Sequence, residues 1–244
     1  ADTDTPDKGD PTEMRRVAFI GATTAWVSAH LSDEMLPDLL EVVSDFGFNR
    51  VAERGIPKAL EVLEREGGEM GAALALKVVD AAVARERDAV ASVHEIHSGT
   101  RQARAATDAE VASWDRYGEA LRSFILGRAG LEGVPSVGSA DAGEAGADWV
   151  PRLASQVRSQ VFNMGSFEPA QAYFQEHPGI IQDLGISRGQ TQLVENYVNG
   201  RRTALEIRDR IEGWTGESLP LALVTGYLEI LRDIGWIELV EGGG

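Results

Sequence analysis

Apolar residues recur at intervals of three and four along most of this chain, and this spacing predicts a mainly α-helical protein. The first predicted helix runs from Pro11 to about His30, because Asp10 suits the N-cap, proline suits the first helical position and Glu13 completes a capping box. One face of this helix is apolar at its start and small further on: Met14, Val17, Ala18, Gly21, Ala25 and Ser28. Small residues predict close packing on a sheet or another helix, yet the pattern offers no obvious sheet.

A second region of helical pattern covers residues 32 to 98 in several pieces. Breaks are predicted near Gly47, at Gly55-Ile56-Pro57 and at Gly67-Gly68, which favours a helical hairpin region over a single rod. The last piece carries an apolar stripe that Glu86 interrupts. Its members are Leu76, Val79, Val83, Val90 and Val93. Such a stripe predicts a neighbouring helix that covers it.

The middle of the chain adds one long helix and then a change of composition. A capping box at Thr107-Asp108-Ala109-Glu110 predicts a helix that ends near Gly127. Its apolar positions are Val111, Trp114, Leu121 and Phe124. Residues 130 to 147 are rich in Gly, Ala, Ser and Asp and have no periodicity, which is typical of a flexible surface linker and a domain boundary. Residues 149 to 167 alternate weakly and predict a short strand or an extended arm.

Three short helices and a strand are expected in the last part of the chain. The helices should cover residues 187 to 198, 203 to 214 and 218 to 234, and Thr203 and Ser218 should cap the second and the third. Gly235 ends the third helix, and residues 236 to 240 alternate as an edge strand. This order of elements is the skeleton of a winged-helix module.

Charge argues against nucleic acid as a partner. The chain has 23 Lys and Arg against 39 Asp and Glu, a formal charge of -16, which repels a phosphate backbone. Residues 197 to 241 alone hold 5 Arg, no Lys and 8 acidic residues, so the winged-helix-like part is itself at about -3. Its third helix offers a single arginine, Arg232, for a DNA groove. Apolar runs are too short for a membrane span, and the absence of cysteine excludes thiolate metal sites and cysteine nucleophiles.

One short segment has some metal-ligand character. His94 and His97 are three residues apart on a predicted helix and can share one metal ion, with Glu95 as a nearby base. Helical zinc motifs use a spacing of four and need a third ligand, so a structural role for this pair is favoured. His97 also extends the apolar stripe near the helix end, where the helix dipole favours an imidazolium.

The candidate partner-binding residues lie near the C-terminus. Arg201 and Arg202 form a basic pair that can grip a carboxylate or a phosphate, although a solvated turn is the commoner role of such a pair. Trp214 and Trp236 are candidate interface anchors, with core packing as the alternative for both and for Trp149. Phosphate loops, a serine nucleophile elbow and spaced carboxylate pairs are not found in the sequence.

The first part of the chain resembles a family. The stretch "DTDTPDKGDPTEMRRVAFIGATTAWVSAHL" is similar to the segment of the di-zinc aminopeptidases, metallopeptidase family twenty-eight, that leads from the last zinc-binding histidine into the final helix of the catalytic domain. Asp4, Thr5, Asp7, Lys8 and the Asp10-Pro11 pair match that motif; Gly9 stands where the family usually has an aliphatic residue. The histidine expected just before it is missing. The C-terminal "YVNGRRTALEIRDRI…LVTGYLEILRDIGWIEL" is similar to the peptide-binding winged helix of the pyrroloquinoline-quinone D type.

This resemblance completes the expected domain plan. It implies that residues 1 to 31 are the tail of an α/β peptidase domain whose sheet and zinc ligands lie upstream of this chain. Residues 32 to 129 are then the helical region, 130 to 148 the linker and 149 to 241 the winged-helix-like module. Zinc is the cofactor that the resemblance implies for the parent enzyme, and no zinc is expected on this chain alone.

Two functions follow from this plan. In the first, the chain is the non-catalytic C-terminal portion of a zinc aminopeptidase-like hydrolase and supplies a lid, a dimerisation surface or a substrate gate to a catalytic domain or subunit. In the second, it is a non-enzymatic helical scaffold whose winged helix binds a peptide or a protein. A homo-oligomer is compatible with both, and the chain alone is expected to lack peptidase activity.

Overall fold

The computed structural model describes residues 19, 21–22, 26, 29–96, 99–135, 143–158 and 167–241. Most of these residues are helical, as the spacing of apolar residues predicted. The motif at residues 4 to 11 and most of the predicted first helix lie outside the described residues.

Helices dominate the order of elements along the chain, and a short strand lies on each side of the last group of helices. In chain order the elements are α1 (Leu36–Arg50), a π-helical turn (Val51–Gly55), α2 (Ile56–Glu66), α3 (Gly68–Ala91), α4 (Val93–Ile96), α5 (Arg101–Ala129), β1 (Trp149–Leu153), α6 (Ser155–Arg158), α7 (Glu168–Glu176), α8 (Ile180–Leu184), α9 (Arg188–Tyr197), α10 (Ala204–Thr215), α11 (Leu221–Asp233) and β2 (Ile237–Glu241).

The chain forms two compact units. The first combines the described part of Ala1–Asn49 with Arg85–Tyr117, and the second combines Arg50–Ala84 with the described part of Gly118–Gly244. The domain boundaries expected from the sequence, after residues 31, 129 and 148, stay predictions.

In the first unit, the helix break expected near Gly47 is wrong. Helix α1 continues through this residue to Arg50. A Cβ atom at Gly47 would lie 2.7 Å from Cζ2 of Trp114, so glycine is needed for the close approach of the indole ring. Phe48 stacks on the same indole at a centroid distance of 4.3 Å. The glycine therefore serves packing and does not end the helix.

The start of α5 also differs from the prediction. The helix begins at Arg101, six residues before the expected cap, and the Thr100 hydroxyl accepts a hydrogen bond from the Ala103 amide at 3.4 Å. Thr107 is buried within the helix, where its hydroxyl donates to the Ala103 carbonyl at 3.3 Å. Trp114 and Leu121 are buried as expected, whereas Phe124 is 44% exposed.

In the second unit, the break expected at residues 55 to 57 is wrong, because the π-helical turn Val51–Gly55 leads directly into α2 and both Gly55 and Ile56 have right-handed helical backbone conformation. Pro57 is the second residue of α2 and lies directly after the π-helical turn. The break at Gly67-Gly68 is confirmed, with φ of 66° and 54°.

The apolar stripe predicted for residues 76 to 93 lies on α3 and α4. All five of its residues are buried. Glu86, which interrupts the stripe, is buried as well and accepts a hydrogen bond from Nε of its neighbour Arg85 at 2.8 Å. The charge of this carboxylate is therefore compensated next to the apolar side chains.

Residues 149 to 241, which we call the C-terminal module, contain the three predicted helices. Ser187 and Thr203 form complete capping boxes with Gln190 and Glu206 at the starts of α9 and α10. The third helix begins at Leu221 after Pro220, so the cap expected at Ser218 is wrong. Helices α7 and α8 did not emerge from the sequence pattern.

A two-stranded antiparallel sheet joins the two ends of this module. Strand β1 precedes the helices and β2 follows them, and Pro151 lies opposite Leu239 in the register. The expected strand or arm after residue 149 is therefore a strand over its first five residues. The module core is formed by side chains with no exposed surface: Val194, Ile207, Ile211, Val224, Leu228 and Leu231.

The module packs on α3 through a close contact between helices. A Cβ atom at Gly213 of α10 would lie closer than 3.0 Å to both Cβ of Ala81 and the carbonyl oxygen of Lys77. Beside this contact the Lys77 ammonium pairs with the buried Glu212 carboxylate and lies 3.0 Å from Asp209 Oδ1. Glu212 also accepts a hydrogen bond from the Leu219 amide at 2.7 Å, which holds the loop before α11. One helix turn thus anchors the module to α3.

We expect Gly213→Ala to lower the free energy of unfolding by about 1 to 3 kcal/mol, because the added methyl group overpacks the contact between α10 and α3. The matched control is Gly189→Ala in α9, where nothing lies within 4 Å of the new methyl group. This control should stabilise the protein slightly, by about 0.4 to 1 kcal/mol. Urea unfolding of both variants and the parent is the measurement. Equal stabilities for the two variants would contradict the role assigned to Gly213.

Candidate functional site

The candidate site with the most apolar lining is a cavity of about 460 Å³ in the C-terminal module. Helices α7, α8, α9 and α11 and the turn between α7 and α8 supply its walls. Phe174, Ile180 and Ile181 form the apolar part of the lining. A cavity of this size with apolar walls and a few polar groups is typical of small-molecule and side-chain binding sites.

The capping box of α9 positions the polar side of this cavity. Ser187 sets the start of the helix, and Thr191 and Glu195 follow four residues apart, on one face. The Thr191 hydroxyl donates to the Arg188 carbonyl at 2.9 Å. Tyr227 reaches the same place from α11, and its hydroxyl donates to Glu195 Oε1 at 2.5 Å. Two residues that are 32 positions apart therefore form one polar pair in the cavity wall.

Burial raises the pKa values of both members of this pair. Burial raises the pKa of Glu195, and the hydrogen bond from Tyr227 opposes that rise in part. The pKa of Tyr227 is raised as well, by burial and by the neighbouring carboxylate, so the phenol keeps its proton and remains the donor. A half-buried carboxylate beside an apolar wall is a favourable partner for a cationic ligand group, because the pair is poorly screened by water. The cavity can therefore bind an apolar group and an ammonium together.

Two exposed basic side chains lie at the edge of the same cavity. Arg188 and His177 contribute to its lining, and both residues are exposed. Within the described part of the chain, the Arg188 guanidinium has no ion-pair partner. These groups add hydrogen-bond donors that a carbonyl or carboxylate of a ligand can use.

The structure separates the two arginines singled out in the sequence. Asn199 Oδ1 accepts hydrogen bonds from the amides of Arg201 and Arg202, each at 3.0 Å, which forms a local turn. The Arg202 guanidinium lies 5.7 Å from the centroid of the Tyr197 ring. Arg202 also lines a second cavity of about 360 Å³, whereas Arg201 is exposed and does not line it.

This second cavity is less suited to a ligand. Its lining is mostly charged and includes both signs, with Lys77, Arg122, Arg202 and Arg210 as the cations and Asp80, Glu206 and Asp209 as the carboxylates. Arg122 forms a two-pronged pair with Asp80 at 2.6 and 2.8 Å, and Lys77 pairs with Asp209 at 3.0 Å. Because the protein itself already neutralises these charges, a ligand has to compete with existing ion pairs.

The two candidate tryptophans lie in different environments. Trp236 is 8% exposed and contacts Phe167 edge to face at a centroid distance of 5.3 Å. Trp214 is 51% exposed, and its backbone carbonyl accepts a hydrogen bond from Lys58. Of the two, only Trp214 offers its ring to solvent. A role in partner binding stays a prediction for both residues.

Of the two weak metal candidates in the sequence, only His94 lies in the described part of the chain. His94 is half-buried on α4, and its Nε2 lies 3.5 Å from Asp108 Oδ1; His97 lies outside the described residues. Among the residues that the structure describes, no group of three or more His, Asp or Glu side chains is arranged to hold a metal ion. The zinc of the parent enzyme, whose ligands the resemblance places outside this chain, stays a prediction.

The sequence pattern did not single out the Glu195–Tyr227 cavity. Its apolar wall comes from α7 and α8, two short helices that lack an extended periodic pattern. The capping box at Ser187 was the available signal, since it places Glu195 on the third turn of α9. In the described ranges, no helix is both long and apolar enough to cross a membrane. Comparison of the chain with protein-family models, curated proteins and solved structures gave no match.

The pKa of Glu195 can be tested through stability. Because its pKa in the folded state is raised above the ordinary value of 4.5, the folded state binds a proton more tightly than the unfolded state. The parent protein should therefore lose stability relative to Glu195→Gln as the pH rises through the raised pKa. Urea unfolding between about pH 4 and pH 8 measures this difference. Glu176→Gln, an exposed carboxyl on α7, is the control and should follow the parent at every pH.

Proposed function

We propose that this chain is a non-catalytic binding protein whose C-terminal module, similar to a winged helix, captures a peptide in the Glu195–Tyr227 cavity. The observation that carries the proposal is the half-buried carboxylate of Glu195 next to an apolar wall in a cavity of about 460 Å³. The volume suits one or two amino-acid side chains of a ligand.

Charge and shape together define the ligand. An apolar side chain of the peptide contacts Ile180 and Ile181, and an ammonium group pairs with Glu195. A free amino terminus followed at once by an apolar residue satisfies both conditions in one short segment. Tyr227 keeps the carboxylate in place through the hydrogen bond of 2.5 Å, so the ligand meets a positioned acceptor. The ligand class is therefore a peptide with an apolar amino-terminal residue.

A pair of short peptides tests this assignment. One peptide begins with leucine and has a free amino terminus, and the other has the same sequence with an acetylated terminus. We expect the free peptide to bind about tenfold more tightly, because acetylation removes the charge that pairs with Glu195. Isothermal titration calorimetry on the full chain measures both affinities.

Variants separate the charge from the apolar wall. Glu195→Gln should abolish the preference for the free amino terminus. Ile181→Asn should weaken the binding of both peptides. Glu176→Gln is the control and should change neither affinity. If the two peptides bind equally well to the parent protein, or if Glu195→Gln keeps the preference, the proposal is wrong.

A second candidate function rests on the opening motif. Asp4, Asp7, Lys8 and the Asp10-Pro11 pair favour a chain that supplies a lid, dimerisation or gating surface to a zinc aminopeptidase-like catalytic part. In such an enzyme the metal ions polarise the scissile carbonyl and activate a water molecule. This role is compatible with a peptide-binding module, because a substrate gate also has to bind a peptide.

The isolated chain should release no amino-acid arylamides, since none of the described residues forms a metal site. Native mass and zinc analysis of the protein purified from its source is the companion measurement. A second polypeptide that copurifies with zinc would support the peptidase role. Arylamide hydrolysis by the chain alone, above the level of a mock purification, would contradict the expectation that this chain is not catalytic by itself.

A further inference from the structure

Helix α1 has apolar residues on two of its faces. One face is buried in the first unit and consists of Leu36, Leu40, Ser44 and Gly47. It packs against α5, where Ser44 donates a hydrogen bond to Glu110 at 2.5 Å and Gly47 lies against Trp114. A helix with a second apolar face is expected to have a second neighbour.

The second face is exposed and regular. Met35, Leu39, Val42 and Phe46 follow one another at intervals of four, three and four, the spacing of a coiled-coil seam. Leu39 is half-buried, and Met35, Val42 and Phe46 are 39%, 51% and 62% exposed. We call these four residues the α1 stripe; Met35 directly precedes α1 and the other three lie on it. Contiguous exposed apolar residues of this kind mark interaction surfaces, whereas single ones are common on any protein.

Acidic residues run along one edge of the α1 stripe. Asp38, Glu41 and Asp45 are exposed and lie on the same side of it by helical geometry, with the buried face on the other side. Within the described part of the chain, these three carboxylates have no ion-pair partner. They provide a charged edge whose complement is a row of Lys or Arg on a partner helix.

We propose that the α1 stripe is a docking surface for an amphipathic helix of another protein that carries Lys or Arg along one edge. The apolar seam supplies the contact area, and the acidic edge selects the partner and its orientation. A second copy of this chain is disfavoured as the occupant, because each copy carries a formal charge of -16 and the same acidic edge. This inference concerns the first unit and is independent of the peptide cavity.

Two synthetic helices serve as probes. Both have leucine at the seam positions; one has lysine along its edges and the other has glutamate. Fluorescence anisotropy with the full chain should show binding of the lysine peptide at least about tenfold tighter than that of the glutamate peptide, with the difference reduced by added salt. Equal affinity for the two peptides, or no binding of the lysine peptide, would overturn the proposal.

Variants on α1 test whether the lysine peptide binds at the α1 stripe. Phe46→Ser should weaken the binding of the lysine peptide by about tenfold or more, since a large apolar contact is lost. Phe124→Ser on α5, at a residue that is 44% exposed, is the matched control and should have no effect. The double variant Asp38→Lys with Asp45→Lys should reverse the preference in favour of the glutamate peptide. An unchanged preference in the double variant would refute charge selection.

Sedimentation equilibrium tests whether a second copy of this chain, and not another protein, occupies the α1 stripe. The parent chain should show no self-association that depends on the α1 stripe. If the parent forms a dimer that Phe46→Ser dissociates and Phe124→Ser does not, the occupant is a second copy and the proposal is wrong.

Discussion

The contact between α10 and α3 is the constraint on which the second unit depends. At Gly213 the two helices are so close that no side chain fits between them. Glu212, the preceding residue, is buried and pairs with Lys77. A carboxylate that is 3% exposed is costly unless its charge and its lone pairs are satisfied. The Lys77 ammonium and the Leu219 amide both bind it, so the helix contact, the ion pair and the loop before α11 form one interdependent arrangement. Removing Lys77 takes away one of the two cations, Lys77 and Arg208, that compensate the buried Glu212 charge.

This arrangement places α11 and thereby the cavity. The loop that Glu212 holds leads directly into α11, which carries Tyr227 to the cavity wall. The hydrogen bond from Tyr227 in turn orients Glu195 on α9. A continuous series of contacts thus links the packing of the C-terminal module on α3 to Glu195, its candidate binding group. The proposed peptide-binding role needs such a rigid support.

The two proposed surfaces use the negative charge of the chain in different ways. In the cavity, the proposal is that one half-buried carboxylate beside an apolar wall selects a single ammonium group at short range. On α1, the proposal is that a row of exposed carboxylates along an apolar seam selects a basic helix, by an effect that is longer in range and sensitive to salt. Both surfaces disfavour nucleic acid for the same electrostatic reason. The acidic composition therefore fits cationic protein or peptide partners.

The sequence by itself determined the features that depend on neighbours along the chain. The capping boxes at Ser187 and Thr203, the break at Gly67-Gly68 and the buried stripe of α3 were predictable, because hydrogen bonds and helical faces within a few residues decide them. The same reasoning failed where a distant residue decides the outcome. Gly47 was predicted as a break and is instead the place where Trp114, 67 positions later, packs against α1. The cap predicted at Thr107 failed for a local reason, because α5 starts earlier and Thr100 accepts the hydrogen bond of its first turn. Only the tertiary structure decided the pairing of Tyr227 with Glu195 and the contact of Gly213 with α3. No local pattern encodes which helices meet, since that choice depends on how the apolar faces of the whole chain are buried together.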